Sequence, residues 1–408
     1  MSNCSKSNSD QIGFLRVWEI FAVFLKLGLT SFGGPIAHLG FFRQECVEQR
    51  KWVTDATYAD LVALCQFLPG PASSQVGFAL GYMRAGLWGA FAACVAFTFP
   101  SALIMIACAY GLRFIHTDSS WLHGLKIAAV AVVAQAVWSM AVKLCPDRTR
   151  VTMAVIAACL VLGFRSAWVQ VVVIGAGAIV GWLCFHHCSH KNTGQASEDL
   201  HHIRRGTFAV ANICIFFGML AGLPLLATSF KSAWITLADS FYRSGSLVFG
   251  GGHVILPLLD AETVGRGLLT RDEFLAGYGA AQALPGPLFT FAAYLGAVTM
   301  PNGSAWVAGL WCLIAVLLPS LLLVLGTLPY WQQLRQNTSA QAALTGANAT
   351  VVGILLAAFY HLAWTGAIDS SQAMILVLAA FCALQFWKLP PWLLVILCAI
   401  GGAAFLRT

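Results

Sequence analysis

Charge is what this sequence lacks. Only 10% of its 408 residues are Asp, Glu, Lys or Arg, against roughly 25% in a soluble globular chain. So few ionised groups cannot cover a surface exposed to water, which excludes a soluble protein of this length. Catalytic signatures are missing too. There is no GxxxxGK[ST] to cradle ATP phosphates, no GxSxG elbow, no HExxH zinc pair and no DDxxD diphosphate site. ATP drive by this chain is therefore disfavoured. CxxC is absent although Cys is abundant, with 13 copies. Most lie inside apolar runs (Cys94, Cys108, Cys159, Cys214, Cys312, Cys382, Cys398), where a thiol behaves as a small hydrophobe. The one cluster, Cys184-Phe-His-His-Cys188-Ser-His190 with His201 and His202 beyond it, matches no zinc spacing and reads as a connecting loop. No metal or cofactor is expected. Met1–Gln11 is polar without the apolar centre of a signal peptide, and no cleavage site follows, so the first apolar run reads as a retained helix.

What is present is apolar: 59% hydrophobic residues and a mean hydropathy of +0.78. The net charge of +7 is scattered over segment ends, where membrane proteins carry Lys and Arg, and does not form a nucleic-acid surface. The lipid bilayer is the expected partner, and homo-oligomerisation is left open. About 20 apolar residues make a spanning helix. Such runs are Phe14–Phe32, Tyr58–Met83, Leu87–Phe114, Leu122–Leu144, Val151–Phe164 and Trp168–Phe185. A basic, His-rich link (Lys191–Arg205) and a lone run, Phe208–Ala227, follow. Trp234–Phe249, Phe274–Val298, Ser304–Leu328, Ala342–Trp364, Ala373–Phe386 and Trp392–Leu406 complete the set.

The second set repeats the first. Phe32-Gly33-Gly34 matches Phe249-Gly250-Gly251 at an offset of 217, as do Lys26 with Arg243 and Glu45 with Glu262. Thr54 matches Thr270, and Gln66-x-Leu68-Pro69-Gly70-Pro71 matches Gln282-x-Leu284-Pro285-Gly286-Pro287, at 216; Pro100 matches Pro319 at 219. The expected architecture is an all-α polytopic membrane protein of two homologous repeats whose helices break at Gly-Gly and Pro-Gly-Pro. Its divisions are a polar tail (1–12), a first repeat (13–187), a linker with one extra helix (188–230) and a second repeat (231–408). With each interrupted run counted as one span, an even first repeat plus the lone helix inverts the second. Arg266 and Arg271 then share the cytoplasmic face with Arg84, while Arg43, Arg50 and Lys51 fall on the wrong one. If the Pro-Gly-Pro segments re-enter instead, count and orientation change. Inverted repeats meeting at the midplane are a transporter design.

Proline inside a span removes a backbone donor and clashes with the preceding turn, and bare backbone is tolerated in a membrane only where protein buries it or water lines it. Pro69-Gly70-Pro71 therefore starts a new half-helix at Ala72-Ser73-Ser74-Gln75, whose N–H groups and dipole suit an anion. Pro285-Gly286-Pro287 does the same with fewer hydroxyls. Gly33, Gly34, Gly250 and Gly251 let backbone approach a ligand; close packing is the competing reading. Lys26 and Arg243 lie mid-span, where a cation needs a partner or a role. Asp239, one turn before Arg243, has ion-pair spacing; Lys26 has only Glu19, two turns back. Gln66 and Gln282 are candidate donors to an oxyanion or to neighbouring helices. Glu45 and Glu262 read as interfacial, and Asp60 reads as a helix-end residue before a proton carrier. His38 and His253 read as satisfied interhelical histidines.

Ser31-Phe32-Gly33-Gly34-Pro35 and Gln66-Phe67-Leu68-Pro69-Gly70-Pro71, with Phe249-Gly250-Gly251-Gly252 and Gln282-Ala283-Leu284-Pro285-Gly286-Pro287, resemble the chromate ion transporter family in its long, two-domain form, over about residues 15–405. The resemblance implies a bacterial inner-membrane exporter of chromate that confers chromate resistance. The substrate-binding residues expected from residues and resemblance together are Lys26, Gly33, Gly34, Pro35, Gln66, Pro69, Gly70, Pro71, Ser73, Ser74, Arg243, Gly250, Gly251, Gln282, Pro285, Gly286 and Pro287. Gly252 stands where the first repeat has Pro35, so the halves need not contribute equally. The residues alone reach a tetrahedral anion. A sulfate or other inorganic-anion transporter is the alternative, and a membrane enzyme acting on lipid headgroups is a third reading that no catalytic constellation favours.

Overall fold

The computed structural model describes residues 2–113, 120–164, 167–185, 206–248, 254–300, 304–363, 368 and 370–405. Every regular element among them is helical. Helix α1 (Ser2–Thr30) stops where Gly33 and Gly34 take φ of 103° and 75°, a left-handed backbone that glycine adopts without a Cβ clash. Helix α2 (Gly34–Phe42) continues into a π-helical stretch, Arg43–Gln49. Helix α3 (Asp55–Phe67) is capped by Thr54, whose hydroxyl accepts the Thr57 N–H at 3.2 Å. It ends at Pro-Gly-Pro, where Gly70 has φ of 124°. The helical stretch Ala72–Arg113 is two helices, because Ala85 and Gly86 are non-helical. These are α4a (72–84) and α4b (87–113). They pack so closely that a Cβ on Gly81 would overlap the Gly89 carbonyl.

Neither interrupted run of the first repeat crosses from one end to the other. Arg50, just past the π-helical stretch, bonds Glu19 of α1 at 3.1 Å, so the chain after the break folds back along α1. Arg84, the last residue of α4a, bonds the same Glu19 at 3.3 Å and lies 5.6 Å over Trp52, which precedes α3. The Pro-Gly-Pro segment is thus a helical hairpin with its tip at Gly70. For Tyr58–Met83 this is the re-entrant alternative, and the bond of Arg50 to Glu19 departs from the one-span reading of Phe14–Phe32. A run of 18 or so apolar residues satisfies the length test whether the chain crosses or turns back at its break. It also removes the misfit of Arg50 and Lys51, which lie at the Glu19 and Arg84 end.

Helices α5 (Ser120–Leu144), α6 (Arg148–Gly163) and α7 (Ala167–Phe185) follow, then α8 (Thr207–Phe230). The faces of α8 carrying Phe217, Leu225 and Phe230 are exposed, as in a helix of membrane-spanning length and hydropathy. The second repeat uses the same plan. It comprises α9 (Ala233–Ser246), α10 (Ile255–Thr263) and α11 (Arg271–Ala283), the last with a complete Thr270–Glu273 capping box. After Pro285-Gly286-Pro287 (Gly286 φ 96°) come a 3₁₀ turn, Leu288–Thr290, and α12 (Phe291–Thr299). Tyr294 of α12 donates to the Glu273 carbonyl of α11 at 2.8 Å, so this pair is a hairpin too. Then come α13 (Ala305–Thr327), α14 (Trp331–Gln336), α15 (Thr338–Leu362), α16 (Ser371–Gln385) and α17 (Pro391–Phe405).

The repeats exchange partners. Helices α6 and α7 pack on α15, while α16 and α17 pack on α5. Glycines make these contacts close: Gly353 faces the Ala154 carbonyl, Gly181 faces Gly346, and Gly124 faces the Cys398 carbonyl, each without room for a Cβ. Near the outer ends of the Pro-Gly-Pro hairpins, Asp60 of α3 meets Arg335 of α14 at 2.6 Å. Likewise Asp272 of α11 meets Lys126 of α5 at 2.7 Å. Long, apolar α4b, α5, α8, α13 and α15 give the protein its multi-pass membrane character.

Candidate functional site

The two Pro-Gly-Pro tips meet the opposite repeat through equivalent bonds. The Gly70 N–H donates to the Val248 carbonyl at 2.6 Å, and the Gly286 N–H donates to the Ser31 carbonyl at 3.0 Å. Ser31 and Val248 are themselves 217 apart, each ending the helix that leads to a glycine break. Each break therefore finishes its hydrogen bonding on the carbonyl that the other repeat's broken helix leaves over. The reciprocity extends to side chains: a Cβ on Gly70 would overlap the Ser320 hydroxyl, and one on Gly286 would overlap the Ser101 hydroxyl. These serines follow the aligned Pro100 and Pro319.

His38, 1% exposed, links the first repeat's two breaks. Its Nε2 lies 3.2 Å from the Ser31 carbonyl and its Nδ1 3.5 Å from Ser73 Oγ. A carbonyl only accepts, so Nε2 carries the proton and Nδ1 accepts from Ser73. Gln75 donates to the Pro69 carbonyl at 2.7 Å, holding the tip closed. Around this junction the hydroxyls of Ser31, Ser74, Ser101 and Ser320, the Gln75 Oε1 and the Gln282 Nε2 are buried without a hydrogen-bond partner. A buried polar group left unpaired costs about 1–3 kcal/mol, so six of them single this junction out as the candidate site. The second copy is more apolar: Phe289, Thr290 and Phe291 stand where the first has Ser73, Ser74 and Gln75. The Thr290 hydroxyl is spent on the Pro287 carbonyl at 2.9 Å.

The charges lie apart from the tips, as staples of the Gly-Gly hairpins. Lys26 bonds Glu45 at 3.1 Å, and its equivalent Arg243 bonds Glu262, the equivalent of Glu45, at 3.2 Å. Lys26 thus has a partner other than Glu19, which serves Arg50 and Arg84. The Glu45 side chain is 7% exposed and is shared with Arg50 at 2.9 Å. Arg243 also pairs with Asp239 at 2.6 Å, as its spacing indicated. Glu262 takes Arg266 at 2.8 Å and the Ser240 hydroxyl at 2.7 Å besides. Glu45 and Glu262 are therefore buried partners of these cations. A cleft with room for about one water lies beside Arg243, lined by Gln170, Ser244, Leu247, Leu258 and Glu262.

Of the predicted site residues, the fold brings Gly70, Ser73 and Gly286 into this bonded junction, with Pro69, Pro71, Ser74, Gln282, Pro285 and Pro287 beside them in the chain. Gly33, Gly34 and Pro35 form the adjoining break. Gln66 is exposed on α3. Gly250, Gly251 and His253 lie outside the described residues, as do Cys188, His190 and the His-rich link; among the described residues no cluster of metal-ligating side chains occurs. Ser31, Gln75, Ser101 and Ser320 are absent from the sequence-derived set. The only sign of the last two was their place after the aligned prolines.

Broken helices that meet in pairs inside an apolar, multi-pass bundle, with uncommitted polar groups at the junction, are a design of membrane transport proteins. The chain belongs to the chromate transporter family: the family's profile matches residues 18–182 and 235–403, one segment in each repeat. It is 27% identical over 397 residues to a chromate transport protein of Pseudomonas aeruginosa, covering 95% of this chain and 92% of that one. A probable chromate transport protein of Synechococcus elongatus is 27% identical over 396 residues, with 95% of both chains covered. The chromate transport protein of Cupriavidus metallidurans is 26% identical over 393 residues, covering 94% of this chain and 92% of that one. No solved structure matches.

Proposed function

We propose that this protein is a secondary transporter that exports chromate across the bacterial inner membrane, and so confers chromate resistance, and that the paired Pro-Gly-Pro tips form its substrate site. The observation that carries the reading is the reciprocal bonding of Gly70 to Val248 and Gly286 to Ser31, which joins two helix starts at one junction. A half-helix N-terminus offers free N–H groups and a positive dipole end. An oxyanion between two of them is held without a fixed negative charge close by.

The hairpins also support an orientation. With both breaks of a repeat folding back, α4b, α5, α6 and α7 are the crossings of the first repeat, and α8 delivers the second repeat to the opposite face. Tyr110, late in α4b, lies against Trp306, early in α13, and Trp311 lies against Trp234, early in α9. These residues mark the far face. Arg50, Lys51 and Arg84 mark the near one. Arg150, which lies over Phe185 at 5.2 Å, joins the start of α6 to the end of α7 on that near side. The near face is the richer in Lys and Arg and is the cytoplasmic one. Arg266 and Arg271 then move to the outer face, where each is paired with an acid. On this reading the repeats are inverted, with fewer crossings in each than one-span counting gives.

Physics favours export. A dianion leaving a cell that is negative inside gains about 4.6 kcal/mol per 100 mV, twice the single-charge value. The test is uptake of labelled chromate and sulfate into everted vesicles with and without an inside-positive potential. Chromate uptake that rises with the potential supports the reading. Uptake of sulfate alone would assign the protein to the other oxyanion, and no flux of either would overturn it.

A further inference from the structure

Ser101 and Ser320 are the least expected groups at the junction. Each follows a proline inside a long helix, Pro100 in α4b and Pro319 in α13, and each reaches across to the break glycine of the other repeat. They are 1% and 0% exposed, and neither hydroxyl has a partner. Packing gives no reason for a hydroxyl here. Alanine would fill nearly the same space without burying an unsatisfied donor, and a serine in a helix ordinarily bonds the carbonyl one turn back. Ser139 of α5 does so, donating to the Gln135 carbonyl at 2.6 Å. Ser101 and Ser320 do not.

The lack of a Cβ on Gly70 and Gly286 is what lets each hydroxyl lie against the tip. Where a Cβ on Gly70 would stand, the closest groups are the Ser320 hydroxyl and the Gln75 amide; where one on Gly286 would stand, they are Ser101 and the Gly28 carbonyl. We infer that Ser101 and Ser320 are specificity-determining ligands of the transported anion, one donated by each repeat to the tip of the other. This inference rests on the substrate site proposed above. The ligand class is a doubly charged tetrahedral oxyanion. Its oxygens accept hydroxyl protons from both sides while the helix starts after Pro71 and Pro287 supply backbone N–H groups. A hydroxyl donor replaces a water of hydration without adding fixed charge, so the anion is bound but can still leave.

The test uses the purified full-length protein, with chromate as the probe in titration calorimetry, and thermal unfolding without anion as a second readout. Ser101→Ala and Ser320→Ala should each weaken chromate binding by roughly tenfold or more, the range of a hydrogen bond to a charged group. The double variant should lose more. In the absence of anion the same variants should unfold at the wild-type temperature or above it, because an unsatisfied buried hydroxyl has been removed. A structural role predicts the opposite pair of results, a lowered midpoint with unchanged affinity, and that would overturn the inference. Ser139→Ala should leave binding unchanged. If both serine variants bind as wild type while replacement of Pro69-Gly70-Pro71 by alanines abolishes binding, the serines are excluded and the tips retained. If wild type binds neither chromate nor sulfate, the substrate-site reading falls and this inference with it.

Discussion

Replacing Gly70 by alanine concentrates the account into one methyl group. At φ of 124° an L-residue carries backbone strain of about 1–3 kcal/mol. The new Cβ would also overlap the Ser320 hydroxyl and lie 2.6 Å from the Gln75 amide, an overpacking cost of about 1–3 kcal/mol. The combined destabilisation is about 2–6 kcal/mol. The alternative, a shift of the tip, would break the 2.6 Å bond from Gly70 to Val248 that ties the two repeats together. Gly70→Ala should therefore lower the unfolding midpoint of the purified protein and abolish chromate flux in everted vesicles. Gly222→Ala in α8, with nothing within 4 Å of its Cβ, should change neither. Adding Ser320→Ala should return part of the stability by removing the clash, with a coupling of about 1–3 kcal/mol in a double-mutant cycle. The φ strain would remain. Wild-type stability and flux in Gly70→Ala would refute the geometry of the junction.

Other outcomes follow from the same contacts. Gly286→Ala, which meets the Ser101 hydroxyl and the Gly28 carbonyl at 3.3 Å, should be comparably harmful to flux and midpoint. Lys26→Gln should cut chromate export at normal membrane abundance and Lys26→Arg should retain some. Recovery of efflux in the charge-swapped pair Lys26→Glu with Glu45→Lys would assign Lys26 to the hairpin staple alone. Asp60→Asn or Lys126→Gln leaves one member of a cross-repeat ion pair uncompensated. Each should lower stability by about 1–3 kcal/mol, less than a fully buried pair would cost, because Arg335 is 20% and Asp272 46% exposed. Cysteines at Lys51 and Lys231 should be labelled from opposite faces of the membrane; labelling from one face would restore the reading of Phe14–Phe32 as a full crossing.

The breaks were legible because glycine and proline act locally: Pro69-Gly70-Pro71 ends a helix whatever surrounds it, and the offset of 217 aligned the two copies. Thr54 and Thr270 aligned for an equally local reason, since both cap the helix that follows. The direction after a break was not legible, since apolar length does not record whether a chain crosses or returns. The misplaced Arg50 and Lys51 were the signal that it returns. The pairing of Lys26 with Glu45 was open to inference, because Arg243 and Glu262 repeat it at one offset; weighing each residue singly hid it. Ser101 and Ser320 were hidden more deeply. Their importance comes from contact with the opposite repeat, which no local pattern encodes.

The central claim is that two Pro-Gly-Pro tips, one from each repeat, make a single anion site. Chromate uptake into everted vesicles by two variants, with Pro69-Gly70-Pro71 or Pro285-Gly286-Pro287 replaced by three alanines, tests it most directly. Healing either helix removes its free N–H groups and its bond to the other repeat, so both variants, compared at equal membrane abundance, should carry no chromate. Normal uptake by either well-expressed variant would contradict the claim and leave that break a packing device.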